Sequence, residues 1–147
     1  MKRWCLLVLL LTLLTIPSPA EQFQKTLGGI DLADGDTVVF LGDSITHQCL
    51  YTQYVEDYFY TRYPRRRIHF HNAGVGGDQA EDTLVRFDED VAAFNPKYVT
   101  VLIGMNDGHY TRLDAEILAK YTRDMLTLMD RIEGIGATAI LMHPTMY

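Results

Sequence analysis

Three short segments of this 147-residue sequence place chemically useful groups beside glycines. Residues 42–46 (Gly-Asp-Ser-Ile-Thr) form the serine segment, residues 74–78 (Gly-Val-Gly-Gly-Asp) the glycine loop, and residues 104–107 (Gly-Met-Asn-Asp) the asparagine segment. The serine segment offers the hydroxyl of Ser44, which can act as a nucleophile when a base removes its proton. The glycine loop offers flexible backbone, and the asparagine segment offers the side-chain amide of Asn106. These groups can work together only if the fold brings them to one place.

Each of the three segments follows a predicted β-strand. Continuous β-branched and apolar runs predict four strands, at 37–41, 68–72, 98–103 and 137–142. Helical spacing of apolar residues predicts three helices, at 47–63, 80–94 and 114–132. Strands that alternate with helices of this length predict right-handed βαβ crossovers and a parallel sheet covered on both faces. Ligands bind at the carboxyl ends of the strands in such sheets, so we expect the three segments to meet at one edge.

The predicted helices carry apolar stripes that we expect to face the sheet. We expect the tyrosines of the first helix to contribute to packing rather than to an aromatic binding site. In the first helix the stripe consists of Tyr51, Tyr54, Val55, Tyr58 and Phe59. In the second it consists of Leu84, Val85, Phe87, Val91 and Ala92. In the third it consists of Ile117, Leu118, Tyr121, Met125, Leu128, Met129 and Ile132.

The first 20 residues have the layout of a secretory signal peptide. Two basic residues precede an apolar run over residues 4–16, and small residues then end the segment at Ala20. The apolar run is shorter than the about 20 residues that a membrane span needs. We therefore expect a secreted or periplasmic protein with no stable membrane span after cleavage. The expected organisation is a signal peptide at 1–20, a lead-in segment at 21–35 and one domain at 36–147.

The net charge argues against a nucleic-acid-binding protein, and the cysteine count argues against an internal disulfide. The chain has 13 basic and 19 acidic side chains, a net charge of −6 that becomes more negative without the first 20 residues. Binding to a nucleic-acid backbone is disfavoured, because such binding needs clustered positive charge and only residues 65–67 form a basic run. Cys49 would be the single cysteine after cleavage, so no internal disulfide is expected. We expect Cys49 to be a buried small residue.

Other chemistries lack their required residues. The glycine loop is followed by Gln79 where a dinucleotide fingerprint needs glycine, and Thr46 stands where a nucleophile elbow of the α/β-hydrolase type needs glycine. His69 and His71 share one face of a strand, but no third metal ligand has a recognisable spacing, so a packed or hydrogen-bonded pair is expected. Taken singly, the serine segment could be a helix cap and the asparagine segment an ordinary turn.

Taken together, the three segments resemble the conserved blocks of the SGNH, or GDSL, hydrolase family. The resemblance covers roughly residues 36–147 and implies a flavodoxin-like three-layer α/β/α sandwich. It implies hydrolysis of a small-molecule, carbohydrate or lipid ester through a serine acyl-enzyme, as in lipases, acylhydrolases and carbohydrate acetylesterases, with no cofactor or metal. It assigns Ser44 as the nucleophile and the Gly77 N–H and the Asn106 amide as oxyanion donors. The supporting residues that it implies are Gly42, Asp43, Gly104 and Asp107.

The family also has a last block, Asp-x-x-His, which supplies the general base after a fifth strand and before a final helix. None of the five histidines in this sequence has aspartate three residues before it. We interpret the chain as the amino-terminal portion of a secreted esterase, without the last strand, the last helix or the base. His143, at the end of the fourth predicted strand, is the one candidate for a substitute base. The alternative is a non-catalytic carbohydrate-binding or acyl-ligand-binding module, or a degenerate fragment.

Overall fold

A computed structural model describes residues 29–143, so the predicted signal peptide at 1–20 lies outside the described residues, as does most of the lead-in segment. The described residues fall into two units. Residues 29–31 belong to the first, and the second begins at Leu32 and contains all the strands and helices described below.

Four parallel strands form one sheet in the described part of the chain, with the order β2-β1-β3-β4. The strands are β1 (Thr37–Gly42), β2 (His69–Gly74), β3 (Tyr98–Leu102) and β4 (Thr138–Leu141). Phe40 in the middle of β1 is paired with Asn72 of β2 and with Thr100 of β3. The predicted parallel sheet is confirmed, and the chain leaves β1 toward β2 on one side and returns to β3 on the other.

The helices cover both faces of this sheet, which confirms the predicted α/β class. They are α1 (Ser44–His47), α2 (Leu50–Arg62), α3 (Ala80–Val85), α4 (Phe87–Asp90) and α5 (Ala115–Gly134), with a 3₁₀ turn at Ala92–Phe94. Successive strand residues point to opposite faces, so Val39 and Leu41 join one core, whereas Val38 and Phe40 join the other. Phe87, Val91, Leu128 and Ile132 of the second and third predicted helices complete the first core.

The predicted buried face of α2 is partly wrong. Three side chains spaced four residues apart pack against the second core, namely Tyr51, Val55 and Phe59. Tyr54 and Tyr58 form the neighbouring stripe and are 78% and 47% exposed. The helix also begins later than predicted, because Cys49 adopts a left-handed conformation (φ 62°) that separates α1 from α2.

The single helix predicted at 80–94 is also wrong, since the chain leaves helical geometry at Arg86 and again at Val91. The breaks allow Phe87 and Val91 to be fully buried, and they leave Val85 88% exposed although it was predicted to be buried. Packing against the sheet therefore overrides the local periodicity.

The helix predicted at 114–132 agrees with α5, which spans Ala115–Gly134. The Asp114 carboxylate caps its first turn by accepting hydrogen bonds from the backbone N–H groups of Glu116 and Ile117. Leu128 and Ile132 are buried as predicted, whereas Leu118 is 48% exposed. No helix within residues 29–143 has both the length and the apolar character that a membrane span requires.

Candidate active site

The three segments start side by side at the carboxyl edge of the sheet. Gly42, the last residue of β1, is paired with Gly74, the last residue of β2. Gly42 is also paired with Leu102, the last residue of β3. The serine segment, the glycine loop and the asparagine segment therefore leave three neighbouring strands at the same level.

Ser44 is the first residue of α1, immediately after β1. The carboxylate of the preceding residue, Asp43, accepts a hydrogen bond of 2.9 Å from the Ile45 N–H and is almost fully buried. Asp43 therefore caps α1 and shapes the turn that carries the serine. Ser44 is half-buried, and its hydroxyl has no hydrogen-bond partner among the described residues.

Close backbone packing holds α1 against the ends of the strands. The carbonyl of Thr46 accepts a hydrogen bond of 2.7 Å from the Asn72 side chain, and His47 Nδ1 lies 3.0 Å from the Gly74 carbonyl oxygen. A Cβ atom at Gly74 would lie 2.6 Å from the Thr46 carbonyl carbon, and one at Gly42 would lie 2.6 Å from the Leu102 oxygen. Both glycines are needed because they allow backbone to approach backbone.

We expect Gly74→Ala to destabilise the protein by about 3 kcal/mol or more, because the added methyl group meets backbone that cannot move aside. Urea unfolding followed by circular dichroism measures the change. Gly76→Ala is the matched control, since no atom lies within 4 Å of a Cβ at that position, and it should be near neutral. Equal stability of the two variants would contradict the close approach of α1 to β2.

The glycine loop is a tight turn. Its Val75 N–H donates to the Gly42 carbonyl at 3.1 Å, and its Asp78 N–H donates to the Val75 carbonyl at 3.4 Å. Gly77 has a φ of +89°, a left-handed conformation that favours glycine, and no atom lies within 4 Å of a Cβ there. The glycine at 77 is explained by backbone conformation rather than by lack of space.

Asn106 lies against the glycine loop. Its Nδ2 donates a hydrogen bond of 2.9 Å to the Asp78 carbonyl, and its Oδ1 accepts one of 3.1 Å from the Tyr110 hydroxyl. A side-chain amide has two N–H groups, and only one is used in the contact with Asp78. The fold thus places Asn106 against Asp78, the residue that follows Gly77, and leaves one amide N–H of Asn106 outside this contact.

Asp107 joins the asparagine segment to the start of α3. Its Oδ1 accepts a hydrogen bond of 3.0 Å from the Ala80 N–H, and the residue is only 6% exposed. Its Oδ2 is buried and has no partner within the described part of the chain. Burial raises the pKa of Asp107, an effect that the Ala80 N–H and the charge of Lys120 partly oppose.

We expect Asp107→Asn to gain stability relative to the wild type as the pH rises. A raised pKa means that the native state binds the Asp107 proton more tightly than the unfolded chain does, so native stability falls as the pH rises above the ordinary value of 3.8. Asparagine has no proton to lose in this range, so the variant does not undergo this fall in stability. Urea unfolding at about pH 3.5 and about pH 7 measures the difference. The exposed Asp130→Asn is the control, and a pH-independent difference between Asp107→Asn and wild type would contradict the buried carboxyl.

Sequence reasoning missed one residue of this region, Arg86. Its Nε lies 2.7 Å from the Asp78 carboxylate, its Nη1 2.9 Å from that of Asp90, and its Nη2 3.3 Å from the Gly42 carbonyl. Burial raises the pKa of Asp78, and the guanidinium of Arg86 opposes that shift. The spacing of Arg86 and Asp90 on a helix was readable from the sequence, but the contacts with the serine segment and the glycine loop were not.

A cavity of about 320 Å³ borders the asparagine segment. Gly104 and Asp107 line it on one side. Apolar and aromatic side chains from the stretch before α5 and from α5 itself line the other, including Leu113, Ile117 and Tyr121. Tyr121 also donates a hydrogen bond from its hydroxyl to the Ile103 carbonyl at 3.2 Å, which ties α5 to the end of β3.

The remaining candidate residues occupy separate environments. His71 stacks on Phe94 with ring centroids 3.6 Å apart, and burial lowers its pKa, whereas His69 is exposed. Within residues 29–143, no three metal-ligating side chains come together. Cys49 is half-buried rather than buried, and its Sγ accepts a hydrogen bond of 3.3 Å from Asn72. His143 is exposed just beyond β4.

The chain is similar to known hydrolases. Residues 40–146 match the model of the GDSL-like Lipase/Acylhydrolase family. An acetylxylan esterase from Geobacillus stearothermophilus is 32% identical over 92 residues, covering 52% of this chain and 42% of that protein. An uncharacterized lipoprotein from Bacillus subtilis (strain 168) is 47% identical over 36 residues, which cover 24% of this chain and 15% of that protein.

Solved structures show the same relationship. The acetylxylan esterase from Geobacillus stearothermophilus superposes with a TM-score of 0.68 and 28% identity, over 78% of this chain and 62% of that one. A gut microbial diltiazem-metabolizing enzyme has a TM-score of 0.68 and 30% identity, over 76% of this chain and 27% of that one. Catalytic mutants of the esterase replace a serine, an aspartate and a histidine, the last two three positions apart. This chain spans less than two thirds of either enzyme.

Proposed function

Because the chain belongs to the GDSL-like lipase/acylhydrolase family, we propose that residues 36–147 carry the nucleophile and the oxyanion donors of a serine ester hydrolase. The observation that carries this proposal is the hydrogen bond between Asn106 Nδ2 and the Asp78 carbonyl. It holds the amide against the residue that follows Gly77, at the edge of the sheet from which Ser44 also starts. If the serine segment were only a helix cap and the asparagine segment only an ordinary turn, the hydrogen bond from Asn106 to the glycine loop would not be needed.

The proposed reaction runs through an acyl-enzyme. Ser44 Oγ attacks the acyl carbonyl while a base takes its proton, and the carbonyl oxygen becomes an oxyanion. The N–H groups of Ser44 and Gly77 and the free N–H of Asn106 stabilise this charge. The intermediate then collapses, the C–O bond to the leaving alcohol breaks, and the base returns its proton to that alcohol. Water attacks the acyl-serine in the same way and releases the carboxylic acid.

The base is proposed to lie outside these 147 residues. No histidine here follows aspartate at the Asp-x-x-His spacing, whereas the catalytic mutants of the related esterase include an aspartate and a histidine at that spacing. The chain as it stands would then hydrolyse esters weakly, since the oxyanion donors and substrate binding alone give only residual acceleration.

We propose an acylated carbohydrate as the substrate class. The support is the relationship to the acetylxylan esterase, which extends over both sequence and structure. The apolar run at 4–16 and the related lipoprotein support export to the periplasm or the medium.

Hydrolysis of 4-nitrophenyl acetate, with and without added imidazole, tests this function. Imidazole can replace a missing histidine as the general base, so it should raise the rate with the protein above the rate with imidazole alone. A Ser44-dependent increase is the expected result. Saturable binding of acetylated xylo-oligosaccharides without any such increase would instead favour the non-catalytic binding module.

A further inference from the structure

One arginine side chain joins the glycine loop to the end of β1. Arg86 donates to the Asp78 carboxylate at 2.7 Å and to the Gly42 carbonyl at 3.3 Å, and a third hydrogen bond of 2.9 Å reaches Asp90. The side chains of Arg86 and Asp78 are only 16% and 11% exposed. A pair this sheltered is less screened by water than a surface ion pair, so its geometry is held more firmly.

Two of the three partners of Arg86 flank the proposed oxyanion site. Asp78 directly follows Gly77, and its carbonyl accepts the hydrogen bond from Asn106. Gly42 lies two residues before Ser44, and its carbonyl also accepts the N–H of Val75. A single guanidinium thus connects the Gly42 carbonyl, two residues before Ser44, to the side chain of Asp78, the residue after Gly77.

Arginine suits this place better than lysine does. Its planar guanidinium presents five donors in a rigid fork, and here three nitrogens reach three different acceptors. Lysine would offer one ammonium group that cannot span the same set. The break between α3 and α4 falls at Arg86 itself, where φ is −97° and ψ is 6°. The helix therefore changes direction at the residue whose side chain reaches the loop.

We propose that Arg86 is a positioning residue, which sets the distance between the Gly77 N–H and Ser44 and so shapes the oxyanion site. The inference rests on the proposed function, since it concerns the same reaction. Asp78 and Asp90 compensate the charge of Arg86, so its effect is geometric and does not require contact with the substrate. A displacement of about 1 Å among catalytic groups is enough to lower a rate about 10²-fold.

The test compares Arg86→Gln with Arg86→Lys and with a matched arginine elsewhere. Arg131 also donates to a backbone carbonyl, that of Leu84, and to a carboxylate, that of Asp88, but it does not contact the three segments. Arg131, 33% exposed, is less buried than Arg86, and Arg131→Gln controls for the loss of an arginine with one carbonyl and one carboxylate partner. Each variant is assayed for kcat and KM with 4-nitrophenyl acetate and imidazole, below its unfolding temperature, and the Gly77 amide shift is recorded by NMR.

We expect Arg86→Gln to lower kcat about 10²-fold with little change in KM and to move the Gly77 amide resonance. Arg86→Lys should recover part of the rate, and Arg131→Gln should leave kcat and the Gly77 resonance unchanged. A folded Arg86→Gln protein with the kcat of Arg131→Gln would overturn the inference. If Arg86→Gln does not fold, Arg86→Lys decides: a lowered kcat supports the role, and an unchanged one overturns it.

Failure of the proposed function gives a different pattern. If Ser44→Ala leaves the rate with imidazole unchanged, the esterase proposal fails whatever Arg86 does, and the inference about the reaction fails with it. If the rate depends on Ser44 but not on Arg86, the esterase proposal stands and only the positioning role is lost.

Discussion

Replacing Ser44 by alanine is expected to reduce the imidazole-supported hydrolysis of 4-nitrophenyl acetate to the rate of imidazole alone. In a form of the protein that also carries a histidine base, the expected loss in kcat is about 10⁶-fold, the size seen when a serine nucleophile is removed from a complete triad. The reason is that no acyl-enzyme can form without the hydroxyl. Release of 4-nitrophenol, followed by absorbance, measures both rates.

The fold should survive this change. Ser44 is half-buried, and the Asp43 cap on the Ile45 N–H does not involve its hydroxyl. Thr127→Ala is the matched control, because it deletes a hydroxyl from the exposed part of α5 and should leave the rate unchanged. Undiminished hydrolysis by Ser44→Ala would point to another nucleophile and remove the basis of the acyl-enzyme proposal.

Removing the side-chain amide of Asn106 should have the second largest effect. We expect Asn106→Ala to lower kcat about 10²- to 10³-fold, with a smaller change in KM, because the lost N–H interacts with charge that develops only in the transition state. The substitution also deletes the hydrogen bond to the Asp78 carbonyl, so the glycine loop loses its link to the asparagine segment. Steady-state kinetics with the short acyl ester measure the two constants.

Asn106→Asp separates donation from size. Aspartate keeps the shape of the side chain but turns an acceptor toward the Asp78 carbonyl, so its activity should be no higher than that of Asn106→Ala. Gln53→Ala, which removes an exposed amide from α2, is the control for amide loss. If both Asn106 variants kept the wild-type kcat, the oxyanion role of Asn106 would be refuted.

The parallel sheet and the place of the three segments were predictable from the sequence. Strands that are buried on both faces are rich in apolar and β-branched residues, so β1 and β3 are readable as continuous runs of such residues. Helices between such strands dictate parallel crossovers, and parallel strands carry their ends to one edge. The three segments were recognisable because each follows a predicted strand and because together they resemble the blocks of one hydrolase family.

Which faces of the helices are buried was less predictable. Tyr54 and Tyr58 fit an apolar stripe by their spacing, yet the sheet contacts only the neighbouring stripe of α2. Local periodicity reports which residues could be buried, whereas the shape of the opposing surface selects among them. The breaks at Arg86 and Val91 have the same origin, since burial of Phe87 and Val91 outweighed continuous helical hydrogen bonding.

The connections within the site depend on the tertiary structure alone. Arg86 and Gly42 are 44 positions apart, and Asn106 and Asp78 are 28 positions apart. No local pattern records such pairs, because each depends on how two separate loops pack above the sheet. The sequence specified a parallel sheet, the alternation of strands and helices along the chain, and the chemical groups at the carboxyl edge of the sheet. Only long-range packing decided which of those groups touch, since contact requires both loops to be held by residues far from them in the chain.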